Sequence, residues 1–141
     1  MDKVIGLGKL GCTIAEELTE YPEYRIYKID AEIEERGSLA LGNSHDMEAF
    51  ERDFDPTAAE IYLRSIKPED SVLLVVSGGD PISGCALKLL RCIKDASINV
   101  MYIAPDREMI SEVQKRDDRI CFNILQEYAR SGVFKSLILV R

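Results

Sequence analysis

Five short apolar segments, separated by stretches with helical periodicity, constrain the fold of this 141-residue chain more than any other feature. Each has the length and apolar content of a strand buried on both faces of a parallel sheet. They are KVIGL (3–7), YRIYKI (24–29), SVLLVVS (71–77), NVMYIAP (99–105) and FKSLILV (134–140). Strands that alternate with helices are joined by right-handed crossovers. We therefore predict an α/β fold in one domain spanning 1–141, a three-layer parallel sheet with helices on both faces.

The segments between these strands predict amphipathic helices with clear boundaries. One helix follows the first strand, and residues 46–66 predict two shorter helices separated at an Asp-Pro pair, because proline disfavours helical backbone in the preceding residue. Residues 83–96 and 108–130 predict two further helices. In the second of these the charged segment QKRDDR is expected on the solvent face, and Gly132 is expected to end the helix.

The charge balance excludes one class of partner. The chain has 18 Lys and Arg against 25 Asp and Glu, a formal net charge of -7, which repels a phosphate backbone, so nucleic acid is not expected as a partner. No signal-like segment opens the sequence, and no apolar run reaches the ~18–20 residues that span a bilayer. A cytoplasmic protein without membrane contact is the expectation.

The cysteines and the single histidine do not form a recognisable metal motif. Cys12, Cys85, Cys92 and Cys121 contain no C-x-x-C pair, and packed, reduced thiols are expected. His45 lies in a polar loop, where a lone histidine is usually only solvated. No metal site is predicted from residue spacing.

A glycine-rich turn follows the first strand. Gly6, Gly8 and Gly11 have G-x-G-x-x-G spacing, which allows a tight strand-to-helix turn and exposes N–H groups that bind phosphate oxygens. Asp30 lies 19 residues beyond Gly11, near where a dinucleotide-binding domain places the acid that holds a ribose. The structural alternatives are close packing of helix on sheet for the glycines and a solvated turn acid for Asp30.

A second glycine-rich turn follows the third strand in SGGDPISGC (77–85). Because the carboxyl ends of parallel strands meet at one edge, the two turns predict phosphates held from both sides. The alternative is a helix cap in which Ser83 satisfies the first N–H groups. Further along, Glu112 and Arg116 are spaced to pair on a helix or to contact a ribose, the alternative being an exposed ion pair.

The ordered loops resemble the nucleotide-binding half of the tubulin/FtsZ family over residues 3–140. KVIGLGKLGCTIAEEL is similar to the family's first glycine loop, and IYKIDAE to its NTDAQ loop. LALGNSHDMEAF resembles the loop ending in GxGGNPxxG, and DSVLLVVSGGDPISGCA resembles the strand and signature GGGTGTGA. SEVQKR carries an acid and an arginine at the spacing of the family's ribose-contacting pair.

The resemblance implies a Rossmann-like fold that binds GTP or GDP, with Mg²⁺, and that associates head to tail with itself or with a larger tubulin-like or structural protein. The implied nucleotide-binding residues are Gly6, Gly8, Lys9, Leu10, Gly11, Cys12, Asp30, Gly42, Asn43, Gly78, Gly79, Asp80, Ser83, Gly84, Glu112 and Arg116. The family's hydrolytic acids lie in a segment that this sequence does not contain, so no catalytic residue is assigned and self-activated hydrolysis is not expected.

Asp80, Pro81 and Ile82 depart from the middle of the glycine/threonine signature. They add a carboxylate, remove an N–H donor and add bulk where phosphate should approach, so we expect weakened triphosphate binding and a need for Mg²⁺ beside Asp80. Two other hypotheses stay open. One is an NAD(P)-binding module based on the first glycine turn and Asp30, and the other is a nucleotide-free structural or virion-type interaction protein.

Overall fold

The computed structural model describes residues 3–141, which form a six-stranded sheet flanked by helices. The strands are β1 (Lys3–Leu7), β2 (Arg25–Asp30), β3 (Ser38–Ala40), β4 (Ser71–Ser77), β5 (Ser97–Ile103) and β6 (Ser136–Val140). The helices are α1 (Gly8–Glu17), α2 (Met47–Asp53), α3 (Pro56–Tyr62), α4 (Ala86–Cys92) and α5 (Glu112–Arg130), with 3₁₀ turns at Leu18–Glu20 and Pro81–Cys85. All strand pairs are parallel, and the predicted three-layer Rossmann-like fold is confirmed.

The spatial order of the strands, β3-β2-β1-β4-β5-β6, creates a topological switch point. From β1 the chain passes through α1 to β2 on one side, and from β4 it passes through α4 to β5 on the other. Adjacent β1 and β4 therefore send their following loops in opposite directions, which opens a crevice at their carboxyl ends. The two glycine-rich turns are the loops that border this crevice.

The apolar core lies on both faces of the sheet. On one face α1 contributes Ala15 to a small cluster with Val4, Leu73 and Val75. On the other face α2 to α5 bury a larger cluster that includes Ile5, Leu74, Val100, Leu90 and Leu125. Alternate residues of β1 and β4 point to opposite clusters, which explains their unbroken apolar sequence.

Helix boundaries follow local capping. Asp46 and Asp55 accept hydrogen bonds from the first turns of α2 and α3, so the predicted break at the Asp-Pro pair is confirmed. The helix predicted over 108–130 begins only at Glu112, because Ser111 and Gln114 form a reciprocal capping box. It ends where predicted, with Gly132 just past the last turn. The helix predicted over 83–96 is restricted to α4, with a 3₁₀ turn before it.

The structure differs from the sequence-based prediction at three points. The short strand β3 was not foreseen, because three residues are too few for a periodic signal. The segment predicted as a buried strand near the C-terminus forms the edge strand β6, which has one neighbour and leaves Ile138 and Leu139 about 40% exposed. Asp117 and Asp118, expected on the solvent face of α5, are buried.

Candidate functional site

The first glycine turn allows α1 to pack closely on the sheet. A Cβ atom at Gly6 would collide with the carbonyl group of Gly11. A Cβ atom at Gly11 would lie 2.8 Å from the carbonyl oxygen of Val75 in β4. The thiol of Cys12 donates to the carbonyl oxygen of Gly6 at 3.4 Å and closes the turn. At Gly6 and Gly11, helix-on-sheet packing is therefore sufficient to explain the glycines.

Gly8, the first residue of α1, is where the two glycine-rich turns meet. Its φ of +80° lies in the left-handed region, which favours glycine. A Cβ atom there would lie 2.7 Å from Oδ2 of Asp80 and 2.9 Å from Cγ2 of Ile82. The structure thus brings the two turns together at the switch point, and side chains of the second turn occupy the space against the first.

Asp80 caps the 3₁₀ turn that follows β4. Its Oδ1 accepts a hydrogen bond from the N–H of Ile82 at 3.2 Å, and Pro81 occupies the first position of the turn. The cap is therefore Asp80, and the alternative cap Ser83 is buried with its hydroxyl donating to Sδ of Met47 at 3.7 Å. Burial raises the pKa of the Asp80 carboxyl, and the negative charge of Asp30 raises it further.

The remaining glycines of the second turn are also in close contact with neighbouring groups. Gly78 lies against the hydroxyl of Tyr102 and Oδ1 of Asp118, and Gly84 lies against the carbonyl group of Met47. A Cβ atom at Gly79 would be 3.4 Å from the carbonyl oxygen of Gln114. This turn is packed between the starts of α2 and α5, and the glycines make that packing possible.

Asp30 borders a separate cavity of about 400 Å³ beside α1, together with Lys9 and Cys12. Oδ1 of Asp30 accepts a hydrogen bond from the N–H of Ala31 at 2.7 Å. Lys28 also lines this cavity and forms ion pairs with Glu16 and Glu35, so its own charge is neutralised by acidic neighbours. Burial raises the pKa of the Cys12 thiol to about 11.

Four other predicted residues are exposed to solvent. Leu10 is 43% exposed on α1. Gly42 donates from its backbone N–H to the carbonyl oxygen of Ala31, and Asn43 follows it as an exposed residue beyond edge strand β3. Glu112 is exposed at the start of α5 and pairs with Lys115 at 3.0 Å.

Arg116 does not pair with Glu112. Its guanidinium lies 3.5 Å from Oδ1 of the buried Asp117, and it lines a cavity of about 120 Å³ with Ser83 and Gly84 of the second turn. The structure therefore brings Arg116 to the second glycine turn and leaves Glu112 in solvent, so the expected acid–arginine pair is not formed.

Sequence reasoning missed a polar cluster at the carboxyl end of β5. The buried Tyr102 donates from its hydroxyl to Oδ1 of Asp118 at 2.5 Å, and Nη1 of Arg107 donates to Oδ2 of the same carboxylate at 2.6 Å. A cavity of about 780 Å³ opens beside this cluster. A tyrosine in an apolar strand and an aspartate in a charged helical segment gave no signal that the two side chains would meet.

The switch point in this conformation does not fit a nucleotide phosphate. Phosphate oxygens bind at exposed N–H groups at the start of a helix, and the carboxylate of Asp80 and the side chain of Ile82 already lie against the start of α1. Across residues 3–141, no group of three or more His, Cys, Asp and Glu is placed to hold a metal ion. Within the same range no helix combines the length and apolar character that crossing a bilayer requires.

Comparison of the sequence with protein-family models and with curated proteins found no significant match. The fold and the contacts at the switch point are therefore the basis for inferring function.

Proposed function

We propose that this protein is a tubulin/FtsZ-like domain with a degenerate guanine-nucleotide cleft, which acts by associating with other proteins. The observation that carries the proposal is the contact of Asp80 and Ile82 with Gly8 at the switch point. The Rossmann-like sheet and the two meeting turns support a nucleotide-binding ancestry, and the side chains between them support weak binding.

The electrostatics of the cleft support this proposal. The start of a helix favours a negative charge, and Asp80 already places a carboxylate there. An incoming phosphate would have to displace this carboxylate and would be repelled by Asp30, whose charge raises the pKa of Asp80. Mg²⁺ between the carboxylate and the phosphate oxygens would offset the repulsion, so we expect nucleotide binding to be weak and dependent on Mg²⁺.

An exposed sheet edge supports association with a protein partner. Within the described chain, β6 pairs only with β5, so one row of its backbone N–H and C=O groups has no strand beside it. Its residues Ile138 and Leu139 are about 40% exposed. Edges of this kind pair readily with other chains, and we propose a second copy or a larger tubulin-like or structural protein as the partner.

Thermal-shift measurements with GDP, GTP, NAD and NADPH, each with and without Mg²⁺, test the nucleotide part of the proposal. A ligand at 100 times its Kd stabilises the fold by ~2.7 kcal/mol. We expect a small, Mg²⁺-dependent shift with guanine nucleotides in the natural protein and a larger shift in Asp80→Asn, which keeps the capping oxygen and removes the charge. Asp55→Asn is the matched control, because Asp55 caps α3 through the same Asp-Pro arrangement outside the two glycine-rich turns.

The outcomes separate the candidate functions. The proposed nucleotide binding would be contradicted if GDP and GTP gave no thermal shift in Asp80→Asn and none in the double variant Asp80→Asn/Ile82→Ala. That result would favour a nucleotide-free interaction protein. Cosedimentation with polymerising tubulin-like proteins tests association, and absence of both co-pelleting and any effect on assembly would count against that partner.

An NAD(P)-binding module is the second candidate, favoured by one specific observation. The strand order is that of dinucleotide-binding domains, and Asp30 stands at the carboxyl end of β2 beside a cavity that also contains Lys9. This candidate predicts a shift with NAD or NADPH that Asp30→Asn removes. A response to guanine nucleotides alone would exclude it.

A further inference from the structure

The cavity of about 780 Å³ at the carboxyl ends of β5 and β6 is distinct from the switch point and has the character of a binding site. Its volume falls in the range of small-molecule sites, ~300–1,000 Å³. Four groups of residues line it: Tyr102 near the end of β5, the loop after β5, one face of α5 and the end of β6. We propose that it binds an organic anion, a phosphate or carboxylate attached to a planar aromatic group.

The charge of the lining supports an anionic ligand. Three arginines, Arg107, Arg119 and Arg141, line the cavity against two aspartates, in a chain whose net charge is -7. Within residues 3–141, the structure shows no carboxylate in ion-pair contact with Arg119 or Arg141. Unpaired guanidinium groups at one cavity therefore give this acidic protein a local site that can bind an anionic group.

The two aspartates offset only part of this charge, because Asp118 is ion-paired with Arg107 and Asp106 alone then stands against Arg119 and Arg141. Both oxygens of Asp118 accept hydrogen bonds, Oδ1 from Tyr102 and Oδ2 from Arg107. Oδ1 of Asp106 accepts from the N–H of Glu108 and shapes the turn that carries Arg107. The buried Asp118 thus holds Arg107 in place, with half of the Arg107 side chain exposed.

The apolar part of the lining supports an aromatic group on the ligand. The half-buried ring of Phe122 lines the cavity, and the buried ring of Tyr102 packs behind it, 5.1 Å away at an interplanar angle of 45°. Leu139 and Pro105 line the same cavity, and Leu139 is 39% exposed. A planar ring against this wall would bury apolar surface on both sides of the contact, while its acidic group faces the arginines.

The positions of the polar groups are fixed by regular structure. Arg119 and Asn123 are four residues apart and so lie on one face of α5. The N–H of Ala104 donates to the carbonyl oxygen of Val140 at 2.8 Å, which joins the loop after β5 to the end of β6. The guanidinium and amide donors therefore converge on the cavity from elements that are already joined.

Titration with phenyl phosphate, followed by backbone amide NMR shifts, tests the proposal, with inorganic phosphate, benzoate and benzyl alcohol as comparison probes. We expect phenyl phosphate or benzoate to shift the amides of 104–107 and 118–123, inorganic phosphate to bind more weakly, and benzyl alcohol to bind most weakly. The better of the two anionic probes identifies the acidic group of the natural ligand class.

Arg119→Gln provides the decisive variant because its side chain is exposed and makes no ion pair that the fold requires. We expect it to lower the affinity about tenfold, the effect of losing one charge-assisted hydrogen bond. Arg64→Gln, an exposed arginine after α3, is the matched control and should leave the affinity unchanged. The proposal would be overturned if both variants lost affinity equally or if the amide shifts were confined to the Gly6–Gly11 turn. An absence of amide shifts at ~10 mM probe would also overturn it. The switch-point proposal is unaffected by these outcomes, because its test uses Asp80 and guanine nucleotides.

Discussion

The carboxylate of Asp80 lies directly against the backbone of Gly8, so that a Cβ atom at position 8 would be 2.7 Å from Oδ2 of Asp80. This contact joins the loop after β1 to the loop after β4 across the switch point. It explains why the first turn needs a glycine at this position even without a ligand. It also accounts for the weak nucleotide binding that we propose.

Replacing Gly8 by alanine should destabilise the fold more than the same change at Gly37. Both glycines have φ near +80°, but a Cβ atom at Gly37 would meet nothing within 4 Å. Left-handed strain costs ~1–2 kcal/mol at each site, and crowding against Asp80 and Ile82 adds ~1–3 kcal/mol at Gly8 alone. Urea unfolding of the two variants measures the difference. Equal losses would mean that the contact between the turns is loose in solution.

Replacing Asp80 by asparagine should change how stability depends on pH. Burial raises the pKa of Asp80 above its ordinary 3.8, so the folded state binds this proton more tightly than the unfolded state does. Stability therefore falls as pH rises from about 3.8 through the folded-state pKa, and that fall is absent in Asp80→Asn.

Urea unfolding between pH ~4 and ~7 measures this effect. Relative to the natural protein, Asp80→Asn should gain stability as pH rises. Parallel pH curves for Asp80→Asn and the natural protein would show that the Asp80 carboxylate is solvated.

Replacing Tyr102 by phenylalanine should remove the hydroxyl that, among residues 3–141, is the one donor to Oδ1 of Asp118. A buried carboxylate that loses one hydrogen bond costs ~1–3 kcal/mol. Tyr21→Phe is the control, because Tyr21 is 50% exposed. Thermal or urea unfolding measures both variants, and a Tyr102→Phe variant as stable as Tyr21→Phe would disprove the buried cluster.

The four free thiols should differ in reactivity. Burial raises the pKa of Cys85 to about 12 and that of Cys12 and Cys121 to about 11, and all three are buried. Cys92 is only half-buried. With a thiol reagent at pH ~8 we expect Cys92 to react first in the folded protein and all four thiols to react quickly in denaturant. A fast phase that persists in Cys92→Ser would show that one of the other thiols is accessible.

Much of the fold could be predicted from local sequence patterns. The apolar runs predicted β1, β2, β4, β5 and β6, the Asp-Pro pair predicted the break between α2 and α3, and Gly132 predicted the end of α5. These signals are local, because capping and periodicity depend on residues within one or two turns. The edge position of β6 could not be predicted from the sequence, because it depends on which strand lies beside it.

The candidate sites were harder to predict from the sequence because they depend on contacts between distant segments. Glycine spacing indicated two turns at one edge of the sheet, but not that Asp80 would lie against Gly8. The cluster of Tyr102, Arg107 and Asp118 joins a strand, a loop and a helix, and no short-range pattern connects them.

The amino-acid sequence by itself determined the alternation of strands and helices and hence the parallel α/β architecture, because strand burial and helix periodicity are encoded in neighbouring residues. Only the tertiary structure decided what the spacing of the glycines accommodates, since at Gly6, Gly11, Gly78 and Gly84 the adjoining atom belongs to a residue from elsewhere in the fold or across the turn. The same reason applies to charge: Asp118 looks solvent-facing in the sequence, and its burial follows from the packing of α5 against β5.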